Sequence, residues 1–256
     1  MAVYKKRDKT AKQIRKERSK IESESTTKEV FEGLDTTAGK AEAWILKHQN
    51  RILTVMGVIV VGVIGYMLYL KYILGPKEIE AADELAYPRA YYEQALTAQQ
   101  QKDSLFLLAL NGGEGHDGLL GIAERYSGTN AANLAHYYAG MAYLKLGEFK
   151  NAVEHLDAFD SDDPLLNAEA YGAMGDAFAE LGGDYMKDAL EYYEKAVRSS
   201  DNSLTTPYYL KKAGMMALEL KQNAKAAGYF NRIKEEYNTT DYAKDIDFYI
   251  NLAKAG

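Results

Sequence analysis

The residues best suited to chemistry lie between positions 133 and 164, in the stretch NLAHYYAGMAYLKLGEFKNAVEHLDAFDSDDP. His136 and His155 could bind a metal ion or transfer a proton, and the acidic run DSDDP could offer carboxylates to Ca²⁺. A zinc site needs further ligands, but neither an HExxH motif nor a paired carboxylate–histidine spacing occurs. DSDDP also lacks the glycine and the distal glutamate of a calcium loop. We interpret the histidines as packing or surface residues and the acidic run as an exposed turn.

Other kinds of catalytic site find as little support in the sequence. The chain has no cysteine, which excludes a catalytic thiol and a cysteine metal site. The serines stand in no GxSxG motif, and the glycine-rich stretch NGGEGHDG at 111–118 lacks the Lys-Ser/Thr of a phosphate loop. We therefore predict a protein that is not an enzyme and has no cofactor, no metal site and no small-molecule substrate.

One apolar segment is long enough to cross a membrane. Residues 52–70 are 19 residues without a charge, and as a helix they would span about 28 Å, close to the thickness of the bilayer hydrocarbon. A secretory signal peptide is the alternative, but its apolar core is shorter and lies nearer the N-terminus. We predict an uncleaved transmembrane anchor with its flanks over residues 44–74.

The charges on the two sides of this segment differ in sign. Residues 1–51 hold 13 Lys and Arg against 8 Asp and Glu, whereas the rest of the chain holds 18 against 29. The positive-inside rule then predicts a single-pass protein with a cytoplasmic N-terminus and an exported C-terminal domain.

The N-terminal tail, residues 1–43, is polar and basic, and we predict that it is largely disordered or transiently helical. Its first 20 residues hold nine Lys or Arg and two acids. Three interpretations remain open. The cluster could set the topology and contact anionic lipid, it could dock on an RNA-rich partner such as the ribosome, or it could bind a specific protein.

Helical patterns follow the anchor. Gly75 is predicted to end the membrane helix and Pro76 to begin the next one. Residues 76–132 are predicted to form a degenerate leading pair of helices, separated by the glycine loop at 111–118. At the other end, apolar residues at helical spacing predict a C-terminal capping helix over residues 241–256.

Between these ends, residues 133–240 contain three copies of one helical-hairpin pattern. Each copy has a glycine in the middle of its first helix, at Gly140, Gly175 and Gly214. We expect these glycines to let the helices approach closely, so a bulky residue at Gly175 should destabilise the domain. The second copy has two extra residues in its turn, and the third replaces the turn glycine with Lys221.

The three copies resemble the tetratricopeptide repeat (TPR) family, whose pattern is roughly 34 residues long. The resemblance implies an all-α fold, with a single transmembrane helix followed by a TPR-like α-solenoid of helical hairpins. It also implies that proteins or peptides bind a concave face lined by the first helix of each copy. Carried over by position, the residues that line this groove are Tyr137, Met141, Lys145, Asp176, Glu180, Tyr208, Lys211, Met215 and Glu219.

The order of basic tail, single span and exported repeats also resembles the membrane-anchored ancillary subunit of the bacterial Sec translocon. This resemblance implies a scaffold or chaperone-like factor that associates with the translocon and assists protein translocation or envelope protein biogenesis. It also implies a location in the bacterial inner membrane, with the C-terminal domain in the periplasm. The alternative is a structural subunit of another envelope assembly, cell-division or secretion complex. A transient helper would contact many clients, whereas a fixed subunit would contact one stoichiometric set of partners.

Overall fold

A computed structural model describes residues 15–16 and 26–255, with residues 26–43 described as backbone only. The described residues are 82% helical with almost no strand, which confirms the all-α prediction. Its contacts divide it after Leu68, and the two units are described separately. The helices are α1 (Thr26–Tyr69), α2 (Gly75–Thr97), α3 (Lys102–Asn111), α4 (Leu119–Arg125), α5 (Asn130–Leu146), α6 (Phe149–Asp157), α7 (Pro164–Leu181), α8 (Met186–Ser199), α9 (Thr206–Glu219), α10 (Asn223–Glu236) and α11 (Ile246–Ala255).

The first unit is described mainly as helix α1. Its apolar side chains are exposed, with Val58 at 68% and Val61 at 71%. The helical segment Trp44–Thr97 contains an 18-residue window with a mean hydropathy of 2.3 and no buried residue. By length and composition, one helix among the described residues is therefore able to cross a membrane.

The start of α1 covers the last part of the tail that was predicted to be largely disordered or transiently helical. Residues 26–43 are helical and continue directly into the apolar segment. Adding residues to an existing helix is far easier than starting a new one, so a polar stretch next to a long apolar helix can extend it. Most of the basic cluster that we considered for lipid, ribosome or protein binding lies outside the described residues.

The predicted break at Gly75 is instead a π-helical turn, Leu70–Leu74, after which α2 begins. Gly75 keeps helical backbone angles, and its N–H donates to the carbonyl of Leu70, five residues earlier. Pro76 has no N–H, and its ring would crowd the carbonyl four residues before it. The wider turn accommodates this proline without ending the helix.

Residues 76–132 hold three helices, α2 to α4, and not the predicted pair. The extra helix, α3, contains Phe106 and Leu110, whose burial against α2 and α5 makes it part of the core. Between α3 and α4, the glycine loop forms a two-stranded antiparallel hairpin, with Gly112–Gly113 (β1) paired to His116–Asp117 (β2). Three helices therefore share one core with the first predicted repeat.

The start of α2 is joined to the start of α5 through the side chain of Glu78. Its carboxylate accepts the backbone N–H groups of Asn130 at 2.7 Å and Ala131 at 3.0 Å. The hydroxyl of Thr129 accepts the next N–H, from Ala132, at 3.0 Å. Three of the four N–H groups that a helix leaves unpaired at its N-terminus are thus satisfied.

From α5 onward, helices that are adjacent in sequence pack against each other. The close approach predicted at the three glycines is confirmed, because a Cβ atom added to each would overlap a side chain of the following helix. The overlaps are Gly140 with Leu156 Cγ at 2.5 Å, Gly175 with Tyr193 Cδ1 at 2.6 Å, and Gly214 with Phe230 Cε1 at 2.3 Å. Real Cβ atoms essentially never come that close, so each glycine is required by its neighbour.

The second helices of the three hairpins carry a fully buried alanine at equal intervals. Ala152, Ala189 and Ala226 are each 37 residues apart and have no exposed surface. We call Gly140, Gly175 and Gly214 the contact glycines. In the second hairpin the contact glycine and the side chain that it meets are 18 positions apart in the sequence, and in the other two hairpins they are 16 positions apart. A short 3-10 turn, Gly183–Tyr185, lies where the second copy has its extra residues.

The last helix, α11, covers the segment in which a capping helix was predicted. Its residues Ile246, Ile250 and Ala253 are buried in the core that α9 and α10 share. Phe248 is 65% exposed on the same helix. The helix therefore buries one side and exposes the other.

Candidate functional site

The residues predicted to bind partners lie on α5, α7 and α9, the first helices of the three hairpins. Most stand three residues before, one after or five after the contact glycine, so they follow one side of each helix. We call this set the first-helix face, and we add three residues that the structure places with it. The first-helix face comprises Tyr137, Met141, Lys145, Glu169, Gly172, Asp176, Glu180, Tyr208, Lys211, Lys212, Met215 and Glu219.

In the first hairpin, Tyr137 is more deeply buried than a groove residue should be. It exposes 8% of its surface and packs on Phe159 with 5.1 Å between ring centroids. Its hydroxyl donates to the carboxylate of Glu169 on α7 at 2.8 Å. Met141 is half-buried and Lys145 is exposed. Tyr137 therefore connects two hairpins, and Lys145 is the residue of this copy that a partner can reach most freely.

In the second hairpin, Asp176 is the centre of a polar cluster. It accepts the hydroxyl of Tyr193 at 2.7 Å and the ammonium of Lys212 at 2.6 and 2.7 Å. The Lys212 ammonium also lies 4.6 Å from the ring centroid of Tyr208. Glu180 is exposed on the same helix. The cluster fixes α7 against α8 and α9, because its members come from all three helices.

Burial and charge act in opposite directions on Lys212. Burial by itself lowers the pKa of the ammonium, but hydrogen bonds to Asp176 and Tyr208 outweigh it, so the pKa lies above its ordinary value. Burial and the charge of Asp176 raise the pKa of the Tyr193 hydroxyl. At neutral pH, the cluster is a charged ion pair with a neutral tyrosine.

The third hairpin contributes a second ion pair and two exposed residues. The ammonium of Lys211 donates to both carboxylate oxygens of Asp245 at 2.9 Å and lies 4.7 Å from the ring centroid of Tyr249. Met215 is 47% exposed and Glu219 is exposed. Lys211 therefore ties α9 to the start of α11, while Met215 and Glu219 remain free to contact a partner.

Sequence reasoning missed three residues of this face. Glu169 stands six residues before its contact glycine, as Tyr208 does, so carrying that position to the second copy would have found it. Lys212 follows Lys211 directly, and no sequence signal separated the roles of the two lysines. Gly172 lies against the ring of Tyr209, where an added Cβ would come within 2.0 Å of Cε1.

The two histidines first considered for chemistry do meet. Their Nδ1 atoms lie 3.1 Å apart, with His136 on α5 and His155 on α6, and His155 stacks on Tyr143. Burial lowers the pKa of both rings, and the pKa of His155 is lowered further by His136 while Glu154 opposes the shift. Among the described residues, no group of three or more His, Cys, Asp or Glu could hold a metal ion.

A surface cleft of about 590 Å³ lies beside His136, between the start of α5 and the turn that follows α6. Asn133 closes one end, since its amide exchanges two hydrogen bonds with the backbone of Asp160. The polar groups of the cleft are thus partly occupied by each other.

The sequence was also compared with known proteins. No protein-family model matches the chain, and no curated protein matches it.

Proposed function

We propose that this protein is a membrane-anchored protein-interaction module, in which a TPR-like solenoid presents the first-helix face to polypeptide partners. The observation that carries the proposal is the recurrence of one contact in three successive hairpins, where a glycine of the first helix meets a large side chain of the second. Stacked hairpins of one design form extended binding surfaces. The exposed side chains on this face, and not its buried ion pairs, make the contacts with a partner.

The chain also carries one helix able to cross a membrane, and the residues before it are more basic than those after it. This supports a single span with the repeats on the periplasmic side of a bacterial inner membrane. In that position, the module assists protein translocation or envelope protein biogenesis, as the ancillary subunit of the Sec translocon does. Protease added to spheroplasts should cut the C-terminal domain and spare the N-terminal tail, and the opposite result would reverse the topology.

The interaction itself is tested by photocrosslinking in living cells. A photoreactive amino acid replaces Met215 or Glu180, which are exposed on the first-helix face, or Glu235, which is exposed on α10. The proposal expects protein adducts from the first two positions and none from the third. Adducts from all three positions alike, or from none, would contradict binding by this face.

Mass spectrometry of the adducts then distinguishes two kinds of module. The translocon together with many exported polypeptides would indicate a transient helper. One stoichiometric set of envelope proteins would indicate a fixed subunit of another complex. Both outcomes retain the interaction function, and they differ in what the face contacts.

A further inference from the structure

Glu169 stands on α7, close to tyrosines of two other helices. Its carboxylate accepts the hydroxyl of Tyr137, from α5, at 2.8 Å. Gly172, one turn further along α7, lies against the ring of Tyr209, from α9. Residues three apart share one side of a helix, so the ring of Tyr209 lies one turn from Glu169. Glu169 is a partly exposed residue.

The pKa values of the neighbouring tyrosines agree with this placement. Burial comes first and the charge of Glu169 contributes further to raising the pKa of Tyr209. Burial, with Tyr138 and Glu169, raises the pKa of Tyr92 to about 12. Glu169 therefore contributes to the raised pKa values of tyrosines on α2, α5 and α9.

Comparable sites elsewhere in the described part of the chain show which other groups bind a carboxylate that accepts a tyrosine hydroxyl. Five tyrosine hydroxyls donate to carboxylates, in the pairs Tyr126–Glu80, Tyr137–Glu169, Tyr193–Asp176, Tyr229–Glu194 and Tyr237–Asp201. In the last three pairs, the same carboxylate also binds a basic side chain, from Lys212, Lys225 and Arg232 respectively.

The first two pairs differ from each other. Tyr126 is itself hydrogen-bonded to Arg125, so a cation stands beside its pair with Glu80. Among the described side chains, the ion pairs include neither Glu80 nor Glu169. Glu169 differs from Glu80 because no basic side chain is hydrogen-bonded to its tyrosine.

The next hairpin shows the same connection with a different donor. Lys211 stands three residues before its contact glycine, as Tyr137 does, and its partner Asp245 lies directly before α11. There the donor is an ammonium, so the carboxylate is neutralised. Tyr137 is a neutral donor, so the same connection leaves the negative charge of Glu169 in place.

The cluster at Asp176 shows which group fits such a site. There the ammonium of Lys212 is held by the carboxylate and by two tyrosine rings, 4.6 Å from the centroid of Tyr208 and 5.7 Å from that of Tyr193. Carboxylate and tyrosine together favour a cation through charge and through the negative face of the ring. Glu169 and Asp176 are seven residues apart on α7, about 10 Å along the helix.

We propose that Glu169, with the tyrosines around it, binds a basic side chain, arginine or lysine, of a polypeptide that lies along the first-helix face. The inference rests on the proposed function and adds to it the chemical class of the partner. The partner carries an unpaired basic residue in an extended segment. Its cation occupies the place at Glu169 that Lys212 occupies at Asp176.

The test uses the full chain in detergent micelles and a fluorescein-labelled peptide of glycine, serine and leucine with one central arginine. A second peptide carries citrulline instead, which has nearly the same shape without the charge. Binding of both is measured by fluorescence anisotropy for the unchanged protein, for Glu169→Gln and for Glu235→Gln. Glutamine at 169 removes the charge but still offers an oxygen to the Tyr137 hydroxyl, and Glu235 is an exposed carboxylate on α10, outside the first-helix face.

The unchanged protein should bind the arginine peptide about tenfold more tightly than the citrulline peptide, as expected for one charge-assisted hydrogen bond. Glu169→Gln should abolish this preference with an unchanged melting temperature, and Glu235→Gln should keep it. An equal affinity for the two peptides, a preference that survives Glu169→Gln, or no binding of the arginine peptide would each overturn the inference.

These outcomes are separate from those of the photocrosslinking experiment. Adducts from Met215 and Glu180 without an arginine preference would leave the interaction module standing and remove the role given to Glu169. An arginine preference without adducts would leave a cation site on a face that binds no protein partner in the cell.

Discussion

Replacing Gly214 by alanine and replacing Gly228 by alanine should change the stability of the protein in opposite directions. Both glycines lie within helices, Gly214 in α9 and Gly228 in α10. A Cβ atom at Gly214 would come within 2.3 Å of Cε1 and 2.6 Å of Cζ of Phe230, whereas one at Gly228 would meet nothing within 4 Å. Phe230 has no exposed surface, so its ring cannot turn outward to relieve the contact.

Two energies decide the sign of each change. Replacing a glycine inside a helix by alanine stabilises the helix by about 1 kcal/mol, because alanine loses less backbone entropy on folding. Forcing one extra carbon into a packed core costs about 1–3 kcal/mol. The overlap at Gly214 exceeds 1 Å relative to ordinary contact at 3.4 Å, so the cost there belongs near the upper end. Gly214→Ala should therefore destabilise the protein by about 2 kcal/mol, and Gly228→Ala should stabilise it by up to about 1 kcal/mol.

Thermal unfolding of the full chain in detergent, followed by circular dichroism at a helical wavelength, measures both changes. A difference of about 3 kcal/mol between the two variants corresponds to roughly 6–12 °C in melting temperature for a domain of this size. Gly228→Ala controls for helix propensity, since it makes the same chemical change without the contact. A Gly214→Ala variant that melts at or above the unchanged protein would refute the close approach of α9 and α10.

Two further predictions concern charged groups. Lys212→Met and Asp176→Asn, combined in a double-mutant cycle of unfolding free energies, should give a coupling of about 1–2 kcal/mol, because the ion pair is largely shielded from water; additive effects would show that the pair does not hold α7 to α9. The lowered pKa values of His136 and His155 mean that the unfolded chain binds protons more readily. Stability should therefore be complete above a pH of about 6.5, the ordinary pKa of histidine, and decline as the pH falls below it. His155→Gln should weaken this decline in urea titrations at a series of pH values, and an unchanged decline would assign it to other groups.

The sequence predicted those features that depend on periodicity. The glycines at 140, 175 and 214 recur with their surrounding pattern, and the structure places each against a large side chain of the next helix. The apolar segment also stands out by length alone. Features of this kind repeat along the chain or extend over many residues, so local patterns are enough to reveal them.

The features that the sequence did not predict depend on contacts between distant residues. The burial of Tyr137 follows from a partner 32 positions away, Glu169, and nothing near Tyr137 indicates it. Helix α3 is short, and its leucines gave no pattern distinct from that of α2. The extension of α1 into a polar stretch comes from its apolar neighbour and not from its own composition.

The cap that Glu78 places on α5 bears on where this domain can be cut. A chain that began at the first repeat, as the repeat pattern alone would suggest, would leave the N–H groups of Asn130 and Ala131 without their carboxylate. It would also uncover the apolar side of α5, which the core of α2 to α4 covers. A truncated protein that keeps the cap of α5 therefore has to begin before Glu78.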